Sequence, residues 1–259
     1  TIWSWCRQLD RLPLHSYPLD PDMPAFRLAS ALLPAAVCVL SACSSLPADP
    51  APEQRVDLTA ARAIYHGPID WYGVHRLQSL AGSHRLKVLE IDSRGGDAEA
   101  AMALGSWIHR QGMNLEVSRL CLENCANYLF PAANKKLIQP GAIVAWQGNL
   151  QYRLQQQQHP AAEQPRPAAM SAEALNALRK QVSLEELYFQ RLGVDPRVCW
   201  IGKLPPYNAK GAFVLPPEDL RRFNISGVRT EKEYSARSVA RWQTQFAVEK
   251  IVLPYGGAL

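Results

Sequence analysis

"LEIDSRGGDAEAAMALGSWIHRQG", residues 89–112, decides how this chain folds. The run that leads into it, "LKVLEID" (86–92), is short and rich enough in aliphatic residues to be a buried parallel strand. "SRGGD" breaks that strand, because Gly95 and Gly96 accept backbone angles that side chains exclude. Asp97 can cap a helix expected to run to about Gln111 and to end at Gly112. A buried strand, a sharp turn and a helix make one unit of an α/β fold.

The same alternation continues on both sides. Upstream, "TAARAIYHGPI" (59–69) opens with a strand, and "DWYGVHRLQSLAG" (70–82) carries Trp71, Val74, Leu77 and Leu80 on one helical stripe that stops at Gly82. Downstream come a strand in "LEVSRL" (115–120) and a turn in "CLENCANYLFPAANKK" (121–136). That turn leads into a short apolar helix to about Ala133, and a further strand follows in "GAIVAW" (141–146). Residues 151–168, "QYRLQQQQHPAAEQPRPA", are low in complexity and Pro-rich, and are expected to form an exposed loop. "SAEALNALRKQVSLEELYFQRLG" (171–193) is a long amphipathic helix or a broken pair, with Ser183 and Glu186 in a capping-box pattern inside it. "GAFVLPPEDLRRFNI" (211–225) reads as a strand and a short helix. Alternating β and α elements imply an α/β domain with right-handed crossovers.

Composition sets the broad class. The chain has 259 residues, 47% of them hydrophobic and 20% charged, ordinary values for a protein that buries a full core. A net charge of +5 comes from scattered basic residues, which suits a solvated surface better than a nucleic-acid footprint; no nucleic-acid partner is expected. From Met23, "MPAFRLASALLPAAVCVLSAC" has a short segment with Arg27, an apolar stretch from Leu28 to Leu40, and small residues at its end. That stretch of 13 residues is too short to span a bilayer, which takes about 20. An ordinary cleaved signal peptide or an apolar core helix would share these features. "LSAC" (40–43) resembles the lipobox of bacterial lipoproteins, which implies a signal peptide over 23–42 and a lipidated Cys43 as membrane anchor. Residues 1–22 are then expected to lie upstream of the true start, and 43–57, rich in Ser, Pro and Ala, to form a tether. Ser44 and Ser45 resemble the sorting pattern of Gram-negative lipoproteins bound for the outer membrane, facing the periplasm. In an oxidising compartment Cys121 and Cys125 suit a disulfide across the turn, although the C-x3-C spacing also fits metal ligands or two buried thiols. No His or Cys pair with ligand spacing lies elsewhere, so zinc ranks low, and Cys199 in "VCWIG" is expected to be a buried thiol.

Taken together, "LEIDSRGGDAEAAMALGSWIHRQG" and "CLENCANYLFPAANKKLIQPGAIVAWQG" resemble the Clp peptidase and crotonase superfamily over about residues 58–228, and exported Clp-like proteins with a Cys-x-Ser-Ser-Cys turn in particular. The resemblance implies a single α/β domain over 58–259, built of repeated β-β-α units around a mostly parallel sheet, and self-association of the kind that forms rings. It implies an oxyanion hole from backbone amides of Gly95, Gly96 and Cys125. It places the nucleophile at Asn124, the general base at Gln147 and the acid at Gly211. A carboxamide forms no acyl-enzyme, glutamine does not titrate, and glycine has no side chain. Gly-Gly taken alone fits a tight strand-to-helix turn with no catalytic role equally well. Coenzyme A has no signature here, and no cofactor or metal is expected. The expected function is a non-catalytic envelope lipoprotein that binds a peptide or protein where relatives cut one. The alternatives are an active hydrolase with an unrecognised base, Glu123 being the nearest carboxylate, and a structural lipoprotein.

Overall fold

A computed structural model describes residues 54–159 and 168–254. The export signal, Cys43, residues 1–22 and the tether up to residue 53 lie outside the described residues, as do 160–167 of the expected loop.

The chain opens with an antiparallel hairpin of β1 (Arg55–Thr59) and β2 (Arg62–His66). From β2 onward the main sheet is parallel. β2 pairs with β3 (Val88–Ser93), and β3 with β4 (Asn114–Leu122). β4 then serves two neighbours. Its first half, Leu115–Val117, pairs with β5 (Lys136–Ile138), and its second half, Leu120–Leu122, with β6 (Ile143–Ala145). A short β8 (Val228–Arg229) pairs with β5. β7 (Ala212–Val214) and β9 (Val248–Lys250) form a separate parallel pair, joined to the end of β6 by an antiparallel bridge between Trp146 and Phe213. The fold is mixed α/β with a mostly parallel sheet, the class expected from the sequence.

β3 and β4 begin with clean alternation, Glu90 and Glu116 staying half-buried, and become buried on both faces at their carboxyl ends, Ile91–Ser93 and Leu120–Leu122. Leu89, Ile91, Val117 and Leu120 are fully enclosed. Helix α1 (Trp71–Ala81) is capped by Asp70, whose side chain accepts from the Gly73 amide at 2.7 Å. Helix α2 (Ala98–Gln111) is capped by Asp97 through the Ala100 amide at 2.7 Å and ends on Gly112 in the left-handed region. It buries Ala100, Ala101, Leu104 and Ile108. The long α5 (Ala172–Leu192) packs against α2 and against α4 (Leu150–Gln158). The free edge of β6 is closed by side chains of α7 (Tyr234–Trp242). The Tyr234 hydroxyl accepts from Val144 N at 2.8 Å and donates to Val144 O at 3.3 Å. Ser238 Oγ donates to Ala142 O at 2.8 Å, and Trp242 Nε1 to Gly141 O at 3.0 Å. These bonds stand where another strand would, and remove an edge that invites aggregation.

Two expectations need correction, and of the two readings of residues 171–193 the single long helix holds. The tether does not extend to residue 57: β1 begins at Arg55, and Val56 is buried against the core, although charged neighbours and a preceding Pro-rich run hide it in the sequence. Residues 151–158 are not loop, because the glutamine-rich run continues α4. Glutamine is a good helix former, Asn149 caps the helix at Tyr152 N (2.9 Å), and Leu150 and Tyr152 are buried. The long helix is unbroken. Ser171 caps it through Ala174 N at 3.1 Å, and Ser183 instead donates back to Arg179 O at 3.2 Å.

Candidate functional site

Three segments meet at the carboxyl ends of β3, β4 and β6. From β3 come Gly95 and Gly96, with φ of +103° and +151°. A Cβ added to Gly95 would lie 3.0 Å from Glu123 Cβ and 3.2 Å from Asn124 N, and one on Gly96 would lie 2.2 Å from Ile69 O. Only glycine allows the two turns this approach. From β4 the chain passes through Glu123, which holds a left-handed φ of +48° that side chains seldom adopt. Glu123 N donates to Ala145 O at 3.2 Å, tying the turn to the end of β6. A disulfide joins Cys121 to Cys125 across the turn, with Cα atoms 5.1 Å apart. The helix then starts as one turn of π-helix, Cys125–Leu129, before α3 (Phe130–Ala132).

The side chains at this junction are amides. Asn124 Nδ2 donates to Gly96 O at 2.6 Å, so the side chain expected at the nucleophile position is tied to the glycine turn. Asn127, fully buried one helical turn on, donates through Nδ2 to Gly148 O at 2.8 Å and more weakly to Asn124 Oδ1 at 3.4 Å. Its Oδ1 has no partner among the described residues. Asn127 thus links the turn to the segment that carries Gln147, which is exposed. The sequence reading missed Asn127; its one signal is the three-residue spacing from Asn124, which sets the two side chains on one helical face.

The amide donors are not equivalent. Gly95 N donates to Ser93 Oγ at 3.1 Å, and that hydroxyl also lies 3.2 Å from Gly95 O. Gly95 O accepts from Ile69 N at 2.8 Å, and Asp97 N donates to Ile69 O at 2.7 Å. Among the described residues, the amides of Gly96 and Cys125 have no acceptor. Of the three expected oxyanion donors, the Gly96 amide is therefore open to solvent, the Cys125 amide is unpaired but enclosed, and the Gly95 amide is held by Ser93.

Gly211 is buried beside β7, and a Cβ there would fall 2.1 Å from Ala247 O. A carboxylate at this position needs Ala247 to move. Among the described residues, none of His66, His75, His84 and His109 hydrogen-bonds to the turn: His66 faces Glu90 at 3.4 Å, His84 faces Ala81 O at 3.0 Å, and His75 stacks on Trp71. Glu123 is the titratable side chain within the turn itself. Its residue surface is largely exposed, yet nearby protein partly desolvates the carboxyl and raises its pKa. No group of three or more His, Cys, Asp or Glu among the described residues is placed to hold a metal ion.

Behind the turn lies a second polar centre that the sequence does not announce. Glu185 of α5 is buried, and its carboxylate accepts from Tyr128 Oη (2.5 Å), Leu150 N (3.3 Å) and Gln151 N (2.8 Å). It caps the first turn of α4 and grips the π-turn through Tyr128. Burial raises its pKa, against the pull of these donors, and burial also raises the neighbouring Tyr188 and Cys199.

No family model matches this chain, and no curated protein matches it. Among solved structures, it is similar to a mutant of a membrane-bound stomatin-specific protease, with 12% identity and a TM-score of 0.39 over 74% of this chain and 95% of that one. It is also similar to a putative enoyl-CoA hydratase from Streptomyces coelicolor A3(2), with 14% identity and a TM-score of 0.38 over 78% of this chain and 80% of that one. An enoyl-CoA hydratase from Bacillus anthracis follows at 11% identity and a TM-score of 0.30, over 58% of this chain and 80% of that one.

Proposed function

We propose that this chain is a lipid-anchored envelope protein whose Clp/crotonase-type domain has lost its catalytic side chains and binds an extended peptide or a partner protein at the turn. The observation that carries this reading is the Asn124 side chain, tied to Gly96 O at 2.6 Å where a peptidase needs a free nucleophile. The exposed Gly96 amide offers a donor for a peptide carbonyl, and exposed Gln147 offers both a donor and an acceptor. The anchor is Cys43, and incorporation of labelled palmitate that disappears in Cys43→Ser is its test; label that persists in the variant refutes it.

The wild-type protein should show no covalent labelling by a fluorophosphonate and no esterase activity above background. The double change Asn124→Ser with Gln147→His removes the tie to Gly96 and supplies a nucleophile and a base, so weak labelling of the new serine is expected. Open oxyanion donors contribute roughly 3 kcal/mol in enzymes that keep them. Either single change should label much less. Esterase activity in the unmodified protein that survives Asn124→Ala would overturn this placement of the site.

A second reading has one observation behind it. Glu123, with its raised pKa and strained backbone, stands in the turn beside the open Gly96 amide and suits a general base in an active hydrolase. In that case wild-type activity exists and Glu123→Gln removes it.

A further inference from the structure

The opposite rim of the sheet carries a different chemistry. Where β5 and β8 begin, a hollow of about 310 Å³ is lined by Lys135, Arg221 and Arg229, by the apolar Pro217, Ile225 and Val228, and by the backbone at Ser226 and Gly227. No Asp or Glu is in the lining. Some arginines elsewhere sit on carboxylates, Arg62 on Glu90 and Glu116, Arg119 on Asp92, Arg197 on Asp195 and Arg237 on Glu231, whereas others such as Arg76 have no carboxylate partner among the described residues. Among the described residues, Lys135, Arg221 and Arg229 have no such partner. A fourth cation stands behind the wall. Lys136 is only 4% exposed and donates from Nζ to Ser226 O at 3.0 Å, with no carboxylate beside it. Burial lowers its pKa to about 8. The amides of Ser226 and Gly227 have no acceptor among the described residues, and Gly227 takes φ of +70° as the chain bends into β8.

Four cations gathered without a carboxylate repel one another, mildly among the exposed Lys135, Arg221 and Arg229 and more strongly at the enclosed Lys136. A doubly charged tetrahedral anion would relieve it, with guanidinium groups offering forked donors and the Ser226–Gly227 backbone offering more. We propose that this hollow is a binding site for a phosphate-class anion, either free or as the headgroup of an anionic lipid. The site lies at the amino ends of β5 and β8, whereas Gly95, Asn124 and Gln147 lie at the carboxyl ends of their strands. Its fate is independent of the reading of the turn.

The test uses the full chain with Cys43→Ser, so that no acyl chain confounds membrane binding. Inorganic phosphate is titrated by calorimetry, and flotation is measured with phosphatidylglycerol vesicles against phosphatidylcholine vesicles. Saturable phosphate binding is expected, weakened at least about tenfold by Arg221→Gln with Arg229→Gln and unchanged by Arg76→Gln on α1. All three arginines are exposed, so the variants should fold, which circular dichroism checks. Phosphate binding without flotation identifies a free anion. Flotation on phosphatidylglycerol alone, lost in the double variant, identifies the headgroup. Absence of both, or retention of both in the double variant, overturns the proposal.

Discussion

The glycine turn and the Glu185 centre are joined through the π-turn and have opposite characters. The turn is defined by its backbone: two glycines at φ of +103° and +151°, Glu123 at +48°, a disulfide and the exposed, unpaired Gly96 amide. The side chains expected at its nucleophile and base positions, Asn124 and Gln147, do not titrate. The Glu185 centre holds a buried carboxylate, two tyrosines and a thiol, the side chains usually sought at an active site, and uses the carboxylate to cap α4. Perturbed titration alone therefore does not locate function here. An enclosed carboxylate with three donors is a joint, and access to solvent and to open donors is what separates the turn from it.

The sharpest way to break this comparison is Gly96→Ala. The added Cβ would meet Ile69 O at 2.2 Å and Ile69 N at 2.6 Å in a backbone region reserved for glycine, so a loss of more than about 3 kcal/mol in chemical denaturation is expected. A neutral result would mean that the turn is not held by that contact. Glu185→Ala should follow at about 3 kcal/mol, because it leaves Tyr128 Oη and two α4 amides buried without an acceptor. The conservative Glu185→Gln tests the charge. Burial raises the folded-state pKa of Glu185 above 4.5, so the folded state holds the proton more tightly than the unfolded one. Its stabilising contribution is then full below about 4.5 and is lost as pH rises through the raised value. Glu123 shifts in the same direction, so the difference between wild type and Glu185→Gln isolates the buried group; the variant should show a flatter decline in stability as pH rises above about 4.5. Identical pH profiles would remove the buried charge from the account.

Reduction sharpens the turn's side of the comparison. The Cys121–Cys125 bridge closes a loop with a sequence separation of 4, and Cys121→Ala with Cys125→Ala should cost about 2 kcal/mol on the chain-entropy estimate. Hydrogen exchange at the Cys125–Leu129 amides should rise more than in α2. The smallest effect belongs to a site remote from both centres. Arg55 pairs with Asp57 on the exposed edge strand, and Arg55→Ala should shift stability by less than about 0.5 kcal/mol. A larger shift would give the β1 edge a role in packing that its exposure does not suggest.

Sequence alone determined the elements whose physics is local. Aliphatic runs ending at Asp92 and Leu120 made buried strands, Asp97 and Gly112 set the limits of α2, and Gly95-Gly96 marked the sharp turn, because caps, glycine angles and strand burial are written within a few residues. It also named Asn124 and Gln147 as side chains without acid–base chemistry. The glutamine-rich α4 and the early start of β1 escaped it, since composition suggested loop and tether while burial of Leu150, Tyr152 and Val56 stabilised ordered elements. The Ser93 hydroxyl that takes the Gly95 amide is a local contact two residues away, but only the tertiary structure decided that the Gly96 amide faces solvent while the Cys125 amide is enclosed. Only it placed Asn127 between Asn124 and Gly148, and Glu185 beneath Tyr128 and the start of α4. The last of these contacts spans 57 residues of chain, and so depends on how α5 folds back against the π-turn rather than on any local pattern.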